Sequence, residues 1–405
     1  MRVLLSTYGS RGDVEPMIAL GTRLRALGVD VRVCVPPDFA GLLAGVGLEL
    51  VPVGPPVHPV LHGSTPLAMG MPQHAAELMA AQFDELATAA EDCVALVASG
   101  MLHQLGARSV TEHLGIPYVY TAYSPVFLPS WHHPPLPLPG QPFPAEVTEN
   151  RLLWDLNARS YDALFGADLA VRRAALDLPS VDRVRDHVFT DRPWLATDPT
   201  LGPWRDTPGV DVVQTGAWIL PDERPLPVKL MQFLDAGPPP IYIGFGSVRA
   251  PANIAPVAIG AIRSLGHRVI VGRGWADLAL IDDRNDCFLV GEINQQALFP
   301  RVAAVVHHGG AGTTTAAARA GVPQVVTPQD GDQPYWASRV AELGIGADHA
   351  GPTPTVRSLT DALRAALAPE TRTRATAVAG AIRGDGATVA ATLLVDALLR
   401  PRVSA

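Results

Sequence analysis

A glycine-rich turn between an apolar strand and a helix carries the clearest chemical signal in the chain. The sequence predicts a strand over 303–306, followed by HHGGAGT at 307–313 and a helix that ends before Gly321. Glycines let a ligand approach the backbone, and the unpaired amides of a helix's first turn carry partial positive charge. Such a turn can bind a diphosphate, with His307 and Thr313 as further hydrogen-bond donors. The structural alternative is a tight turn with Thr313 as the helix N-cap.

A second polar cluster, TPQDGDQP at 327–334, follows the strand predicted over 324–326 and precedes a helix near Tyr335. In a doubly wound fold, ligands bind at the carboxyl edge where such loops lie. The side chains of Asp332 and Gln333 can hydrogen-bond to sugar hydroxyls. Two alternatives remain open: Asp330 and Asp332 could hold a divalent cation, or Asp332 could cap the following helix. We favour no metal, because a helix terminus already offsets phosphate charge.

The third cluster is GSRGD at 9–13, after a strand predicted over 2–7 and before a helix predicted over about 15–27. A second strand over 31–35 completes a βαβ unit. Asp13 can cap the helix, or it can act as a general base that takes a proton from an attacking hydroxyl. At position 9 the pattern is only GxxG, and no acidic residue ends the second strand, so the dinucleotide fingerprint of dehydrogenases is absent. GxSxG and HExxH, typical of serine hydrolases and zinc proteases, are also absent.

Composition limits the class of protein. The 405 residues favour two domains, and 48% apolar with 17% charged residues predicts a globular chain. A net charge of −8 without a basic run argues against a nucleic-acid partner. Three dispersed cysteines fit a reducing compartment, and neither a signal peptide nor a membrane span is predicted, so we expect a cytoplasmic protein without membrane association. The oligomeric state is not predicted.

Strands and helices alternate in both halves of the chain, which predicts an α/β fold with two Rossmann-like parallel sheets. Helices are expected over 75–90, 107–114 and 254–265, and strands over 117–121, 241–243 and 267–271. A terminal helix over 378–399 is expected to pack back on the first domain. The predicted boundaries are 1–202 for the first domain, 203–227 for a linker, 228–378 for the second domain and 379–405 for the returning helix.

The segment 124–144 breaks this alternation because it is dense in proline and carries Trp131, His132 and His133. Long loops inside compact domains are often functional. One interpretation is a surface excursion stiffened by proline. The other is a wall that binds a large, flat, aromatic acceptor, with Trp131 and His132 as contacts.

Over nearly its whole length the chain resembles the glycopeptide-antibiotic glycosyltransferases of the vancomycin group. The segments that carry the resemblance are MRVLLSTYGSRGDVEP at the start, VVQTGAWILPDERPLP at 212–227, GFGS at 244–247, VGRGWADL at 271–278, GEINQQALF at 291–299, HHGGAGTT at 307–314 and PQDGDQPYWASRVAELGIG at 328–346. The resemblance implies a GT-B fold, two Rossmann-like domains facing a central cleft, with the acceptor on the first and the nucleotide sugar on the second. It also implies that no cofactor or metal is required.

The resemblance assigns roles to individual residues. Asp13 corresponds to the general base, and Ser10 and Arg11 lie near the donor phosphates. Asp332 and Gln333 correspond to the sugar-contacting pair. The other donor-binding positions are Ser247, His307, Gly310, Gly312 and Thr313 for the diphosphate and Ile293 and Trp275 for the base. The chain departs from the family in 57–73 and in the proline-rich loop, both expected to touch acceptor.

The implied activity is an inverting transfer of a hexose or aminohexose from a UDP- or dTDP-sugar to a hydroxyl of a glycopeptide aglycone during antibiotic biosynthesis. The proline-rich loop and NRLLWDLNARSYDALFG at 150–166 resemble members that glycosylate the central aromatic side chain of the heptapeptide. Alternatives are a noncatalytic nucleotide-sugar-binding partner of another transferase, a transferase acting on another natural product such as a macrolide, and an oxidoreductase. An intact Asp13 and phosphate turn argue against the first, and the missing fingerprint argues against the last.

Overall fold

The computed structural model describes residues 1–62, 67–100 and 104–400, and it describes only the backbone at 60–62 and 67–73. The chain divides into two compact units. The first comprises 1–199, 203–220 and the chain from 383 onward; the second comprises 200–202 and 221–382.

Seven parallel strands form the sheet of the first unit, in the order β3-β2-β1-β4-β5-β6-β7. The strands are β1 (Arg2–Thr7), β2 (Asp30–Val35), β3 (Glu49–Pro52), β4 (Ala95–Ser99), β5 (Tyr118–Ala122), β6 (Trp194–Leu195) and β7 (Val213–Gln214). Residues of β1 and β4 are almost entirely buried, as expected for a parallel sheet covered by helices on both faces.

The helices of the first unit are α1 (Arg11–Ala26), α2 (Ala40–Val46), α3 (Val57–His62), α4 (Leu67–Ala81), α5 (Ala87–Ala90), α6 (Ala107–Leu114), α7 (Asn150–Ala174), α8 (Val184–Phe189) and α16 (Gly386–Leu399). A π-helical turn over Gln82–Leu86 joins α4 to α5. The last helix, α16, packs against α1. Its first residue, Gly386, lies so close to Gly216 that a Cβ there would be 2.3 Å from the Gly216 carbonyl carbon, so glycine is required at this crossing.

Six parallel strands form the sheet of the second unit, in the order β10-β9-β8-β11-β12-β13. They are β8 (Ile241–Gly244), β9 (Val269–Gly272), β10 (Cys287–Val290), β11 (Ala304–His307), β12 (Gln324–Val326) and β13 (Gly346–Asp348). The helices are α9 (Val228–Asp235), α10 (Ile254–Ser264), α11 (Gln295–Leu298), α12 (Ala311–Arg319), α13 (Gln333–Glu342), α14 (Val356–Ala366) and α15 (Pro369–Ala379).

Both units therefore share one strand order, in which the chain moves outward from the first strand and then returns to its other side. The expected α/β class with two Rossmann-like sheets is confirmed. None of the described helices is long and apolar enough to cross a lipid bilayer.

Several predicted elements were wrong in their bounds. The first helix begins at Arg11 rather than near Glu15, because Ser10 caps it. The helix predicted over 378–399 is two helices, α15 and α16, separated at 380–385. The 25-residue α7 and the short β7 were not predicted as elements, while 124–144 contains only a 3₁₀ turn at Pro125–Phe127.

Candidate functional site

The strand order creates a switch point in each sheet, between β1 and β4 in the first unit and between β8 and β11 in the second. Loops that leave neighbouring strands toward opposite faces open a crevice at the carboxyl edge there, which is where doubly wound folds bind ligands. GSRGD follows β1, GFGS ends β8 and HHGGAGT ends β11. GSRGD, GFGS and HHGGAGT thus lie at switch points, whereas TPQDGDQP follows β12, the strand next to β11.

The turn after β11 leaves the N-terminus of α12 open. Its N-cap is Gly310, which has no side chain to cap the helix, and Thr313 occupies the third helical position rather than the cap. The first backbone bond of the helix runs from Thr314 N–H to the Gly310 carbonyl, and none of the described residues accepts from the amides of 311–313. Three aligned amides at a positive helix end form an anion site.

The two histidines of the turn differ in their surroundings. His307 is fully buried; its Nε2 lies 2.9 Å from Gln324 Oε1, and its Nδ1 accepts from the Gly309 amide at 3.1 Å. Gln324 in turn donates to the Thr314 carbonyl, so His307 ties β11 to β12 and α12. Both ring nitrogens of His307 are therefore used inside the second unit.

The Nδ1 of His308 is buried and has no hydrogen-bond partner among the described residues. Its ring packs between Gly246 and Gly310: a Cβ at Gly310 would lie 2.5 Å from His308 Nε2. Burial, with the charge of His307 as a smaller cause, lowers the pKa of His308 to about 3, and burial lowers that of His307 to about 4. Both imidazoles are thus neutral at physiological pH, and a neutral imidazole has one N–H to donate.

The loops after β8 and β9 pack tightly together. The Trp275 amide donates to the Gly246 carbonyl at 2.8 Å, and a Cβ at Gly274 would lie 2.5 Å from that same oxygen. Ser247 is buried beside it. The structure therefore brings Ser247 and Trp275 together at the carboxyl edge of β8 and β9.

Ile293 follows β10 and is half-buried against the core that includes Val290 and Phe299. The next residue, Asn294, caps α11 by accepting from the Ala297 amide and donates to the carbonyls of Asp222 and Arg224. These bonds fix the backbone of Ile293 at the edge of the sheet. A fixed backbone edge of this kind can meet the polar edge of a nucleobase.

The loop after β12 holds Asp332 and Gln333 in different ways. Gln333 Oε1 accepts from the amides of Gln329 and Asp330, at 2.7 and 3.2 Å, and so shapes the loop. The indole of the buried Trp336 donates to Asp332 Oδ2 at 2.7 Å, and the Asp332 side chain makes no capping bond. Asp332 thus occupies the N-cap position of α13, but its carboxylate bonds to Trp336 and does not cap the helix.

No cluster of metal-ligating side chains was found among the described residues, and the Asp330 carboxylate accepts from the Gly331 amide.

In the first unit, Ser10 and Asp13 form a capping box at the start of α1. The Gly12 amide donates to Ser10 Oγ at 3.3 Å, and the Ser10 amide donates to Asp13 Oδ2 at 2.8 Å. The carboxylate lies directly over Gly9, where an added Cβ would be 2.2 Å from Oδ2. Gly9 is thus required, and the capping box holds Asp13 at the carboxyl edge of β1. Arg11 pairs with Glu15 on the same helix at 2.5 Å.

Within the described chain, Trp131 and His132 contact α7 and Asp206 rather than the motifs above. Trp131 is half exposed, its carbonyl accepts from Asn150, and the Arg151 guanidinium stands 5.9 Å from its ring centre. The His132 ring nitrogen Nε2 lies 3.1 Å from the carbonyl oxygen of Asp206. The proline-rich loop is thus fastened to α7 and to the segment before β7.

The predicted donor residues of the second unit lie at the carboxyl edge of its sheet, but His308 and Trp336, which lie there too, were not among the predicted site residues. The alternation of side chains along β11 could have indicated His308. Val306 and His308 share one face, and His307 lies on the other, where it contacts Gln324. Trp336, four residues after Asp332 on a helix, is the neighbour that i, i+4 spacing predicts.

Comparison with known proteins decides the family. Residues 3–132 match the glycosyltransferase family 28 N-terminal domain, and 259–388 match the C-terminal domain described as erythromycin biosynthesis protein CIII-like. The chain is 56% identical to glycosyltransferase GtfE of Amycolatopsis orientalis, with 98% of each chain covered, and 55% identical to the vancomycin aglycone glucosyltransferase of that organism, with both covered fully. The chain belongs to the vancomycin-group glycosyltransferases. It is also 48% identical to the dTDP-epi-vancosaminyltransferase of A. orientalis over its whole length.

Solved structures show that this glycosyltransferase has the GT-B fold. The glycosyltransferase of kitacinnamycin superposes with a TM-score of 0.74 at 20% identity, covering 98% of this chain and 99% of the other. VinC, solved in complex with dTDP, gives 0.70 at 20% identity, covering 99% and 100%. The expected fold class is thereby confirmed.

Proposed function

We propose that this glycosyltransferase transfers a hexose or aminohexose from a UDP- or dTDP-sugar to a hydroxyl of a glycopeptide aglycone, with inversion at the anomeric carbon. The observation that carries the donor half is the open N-terminus of α12, whose amides at 311–313 have no partner among described residues. The likeness to a vancomycin aglycone glucosyltransferase supports the acceptor class.

The donor diphosphate would lie between the loops that end β8 and β11. Gly310, Gly312 and Thr313 offer backbone amides, and Ser247 and Thr313 offer hydroxyls. We assign the imidazole donor to His308 rather than His307, because both nitrogens of His307 are already bonded. Negative charge grows on the leaving phosphate during transfer, so these donors would stabilise the transition state more than the ground state.

The sugar and base would extend from the diphosphate along the same edge. Asp332, oriented by the Trp336 indole, would accept from sugar hydroxyls, while Gln333 would act through the loop it shapes. Ile293 and Trp275 would contact the base. No metal or cofactor is proposed, because the helix terminus and imidazole supply the donors that a diphosphate needs.

Asp13 is the proposed general base. The acceptor oxygen forms a bond to the anomeric carbon, its proton moves to the Asp13 carboxylate, and the bond from carbon to the diphosphate oxygen breaks. A single displacement of this kind inverts the configuration. Ser10 holds Asp13 through the capping box, and Arg11 is proposed to lie near the donor phosphates. Trp131 and His132 are proposed to contact the acceptor.

The cytoplasm remains the proposed location, since the three cysteines of the chain are buried and unpaired as in proteins of reducing compartments. A macrolide acceptor is less favoured than a glycopeptide, because the full-length relatives at 55–56% identity include the vancomycin aglycone enzyme.

Mass spectrometry of the purified enzyme with a panel of UDP- and dTDP-sugars and glycopeptide and macrolide aglycones tests this proposal. We expect a mass gain of one hexose or aminohexose on a glycopeptide aglycone that depends on the donor. Glycosylation of macrolides alone would contradict the proposed acceptor class, and no product from any donor would contradict the activity.

A further inference from the structure

The switch point of the first unit is lined by a row of hydroxyl-bearing side chains. The strand register aligns Thr7 of β1 with Ser99 of β4 and Ser99 with Thr121 of β5. Register partners in a parallel sheet point to the same face, so the three side chains form one row at the carboxyl edge. All three are buried.

Asp13 and Tyr123 stand on either side of the end of β4. The Asp13 carboxylate occupies the place of a side chain at Gly9, two residues beyond Thr7. Tyr123 lies two residues beyond Thr121, and residues two apart along a strand direction share a face. Since β4 separates β1 from β5, the backbone at the two strand ends lies about 10 Å apart, while both side chains reach over the end of β4 and the Asp13 carboxylate is near enough to Tyr123 to act on its pKa. A carboxylate and a phenol thus flank Ser99.

The Tyr123 ring is held in place while its hydroxyl is left unsatisfied. Its ring meets the Trp218 ring edge-on at 6.1 Å, Trp218 stacks in the same way on Trp194 at 6.4 Å, and the Trp218 indole donates to Thr215 at 3.0 Å. No described residue meets the distance and angle of a hydrogen bond to the buried Tyr123 hydroxyl, and the Ser99 side chain interacts with it only weakly, enough to lower its pKa somewhat. An unsatisfied buried hydroxyl is costly, so a fixed one at a ligand edge indicates a partner that the bound substrate supplies.

The protonation state of this phenol is clear. Burial raises the pKa of Tyr123 far above its ordinary value; the Ser99 side chain opposes this shift, and the negative charge of Asp13 adds to it as a smaller cause. Tyr123 therefore keeps its proton in the working range of the enzyme and acts as a hydrogen-bond donor beside a carboxylate that accepts. The hydroxyl group of an acceptor can accept a hydrogen bond from the Tyr123 phenol through its lone pairs and donate its own proton to the Asp13 carboxylate.

We propose that Tyr123 is a positioning residue for the acceptor, whose hydroxyl donates a hydrogen bond to the nucleophilic oxygen while the proton of that oxygen points to Asp13. This inference rests on the proposed function of Asp13. In the transfer step the acceptor O–H bond breaks with its proton going to Asp13, the bond to the anomeric carbon forms, and Tyr123 retains its own proton throughout.

An orphan hydroxyl alone does not make a site, and β5 provides the matched control. Tyr118, at the amino end of the same strand, also has a buried hydroxyl without a partner among the described residues. It lies at the opposite edge of the sheet from Asp13. The same substitution, tyrosine to phenylalanine, therefore removes an unsatisfied hydroxyl at both positions but only one of them faces the proposed acceptor site.

The experiment measures kcat and KM for donor and aglycone, the dissociation constant for dTDP or UDP, and the Tm of wild type, Tyr123→Phe and Tyr118→Phe. We expect Tyr123→Phe to lower kcat/KM for the aglycone roughly 10- to 100-fold, the effect of losing one buried hydrogen bond. Nucleotide affinity should be unchanged, and Tm should be unchanged or slightly higher because an unsatisfied hydroxyl is removed. Tyr118→Phe should match wild type in kinetics.

Three results would overturn the assignment. The first is wild-type kinetics for Tyr123→Phe. The others are a kinetic loss accompanied by a lower Tm and a similar loss in Tyr118→Phe, either of which would show a structural role. Failure of the proposed function has a different signature, since wild-type enzyme would then give no glycosylated aglycone at all.

Discussion

The helices α1 and α12 both begin at the carboxyl end of a parallel strand, one in each unit, yet their first-turn amides are used differently. At α1 the amides are served by Ser10 and the box is closed by Asp13. At α12 the N-cap is a glycine, and the amides at 311–313 are left to a ligand. A closed terminus fixes a carboxylate at the edge, whereas an open terminus binds an anion.

The same strand-turn-helix unit thus serves two chemical tasks, depending on the residues at its cap. In a capping box, side-chain oxygen atoms of the protein accept from the free amides at the start of the helix, and the carboxylate of the box is held in a defined place. Glycines at the cap leave that positive end for phosphate. Asp13 and His308 are the side chains that the two arrangements present, and three tests separate their roles.

The largest effect is expected for Asp13→Asn. The amide oxygen of asparagine can still accept from the Ser10 amide, so the start of α1 should be retained while the proton acceptor is lost. Because a positioned base contributes about 10²- to 10⁴-fold, we expect kcat to fall by about 10³-fold. Glycosylation followed by mass spectrometry checks this.

Nucleotide affinity and Tm of Asp13→Asn should remain those of wild type. Glu15→Gln, which alters the ion pair with Arg11 on the same helix turn, is the matched control and should stay active. Turnover by Asp13→Asn near the wild-type rate would show that Asp13 is not the general base.

A second test contrasts the neighbouring histidines. In His308→Phe one donor to the leaving diphosphate is lost, and kcat/KM should fall about 10²-fold, the usual loss for one transition-state donor, with Tm nearly kept. In His307→Phe the side-chain oxygen Oε1 of Gln324 and the backbone amide of Gly309 lose their buried partner, and Tm should fall markedly.

Steady-state kinetics and thermal unfolding of both variants measure this contrast. The reverse pattern, with a stable but inactive His307→Phe and a destabilised His308→Phe, would show that the two side chains have been assigned the wrong way round.

The smallest effect concerns pH. The folded pKa values of His307 and His308, about 4 and about 3, lie below the value of about 6.5 for an unfolded chain. Their contribution to stability is thus complete above pH 6.5 and is lost progressively as pH falls toward the folded values, because the unfolded chain takes up protons first. Tm should decline below pH 6.5, and less steeply in His308→Asn. Equal slopes in both proteins would contradict this linkage.

How far the sequence predicts the site depends on whether local spacing decides the contact. The glycine turn at 309–312 and Gly9 were predictable, because strand, glycine and helix follow directly in the chain. The capping box between Ser10 and Asp13 also lies within four residues, although the alternative of Asp13 as the cap itself placed the helix start too late.

Long-range partners were not predictable in the same way. The occupation of His307 depends on Gln324, on the neighbouring strand β12. The row that joins Thr7, Ser99 and Thr121 depends on strand order and register, which one sequence does not determine. The closely packed glycines at 216 and 386 lie 170 positions apart in the chain, so their contact has no local signal.

The most direct test of the central claim is a calorimetric titration of purified wild-type enzyme and Gly312→Pro with dTDP and UDP. Proline at 312 removes one amide of the open α12 terminus, at a second helical position where its ring is tolerated. We predict saturable binding of at least one nucleotide by wild type and clearly weaker binding by a folded Gly312→Pro. Equal affinity in the two proteins, or no binding of either nucleotide to wild type, would contradict the claim that the α12 terminus binds the diphosphate.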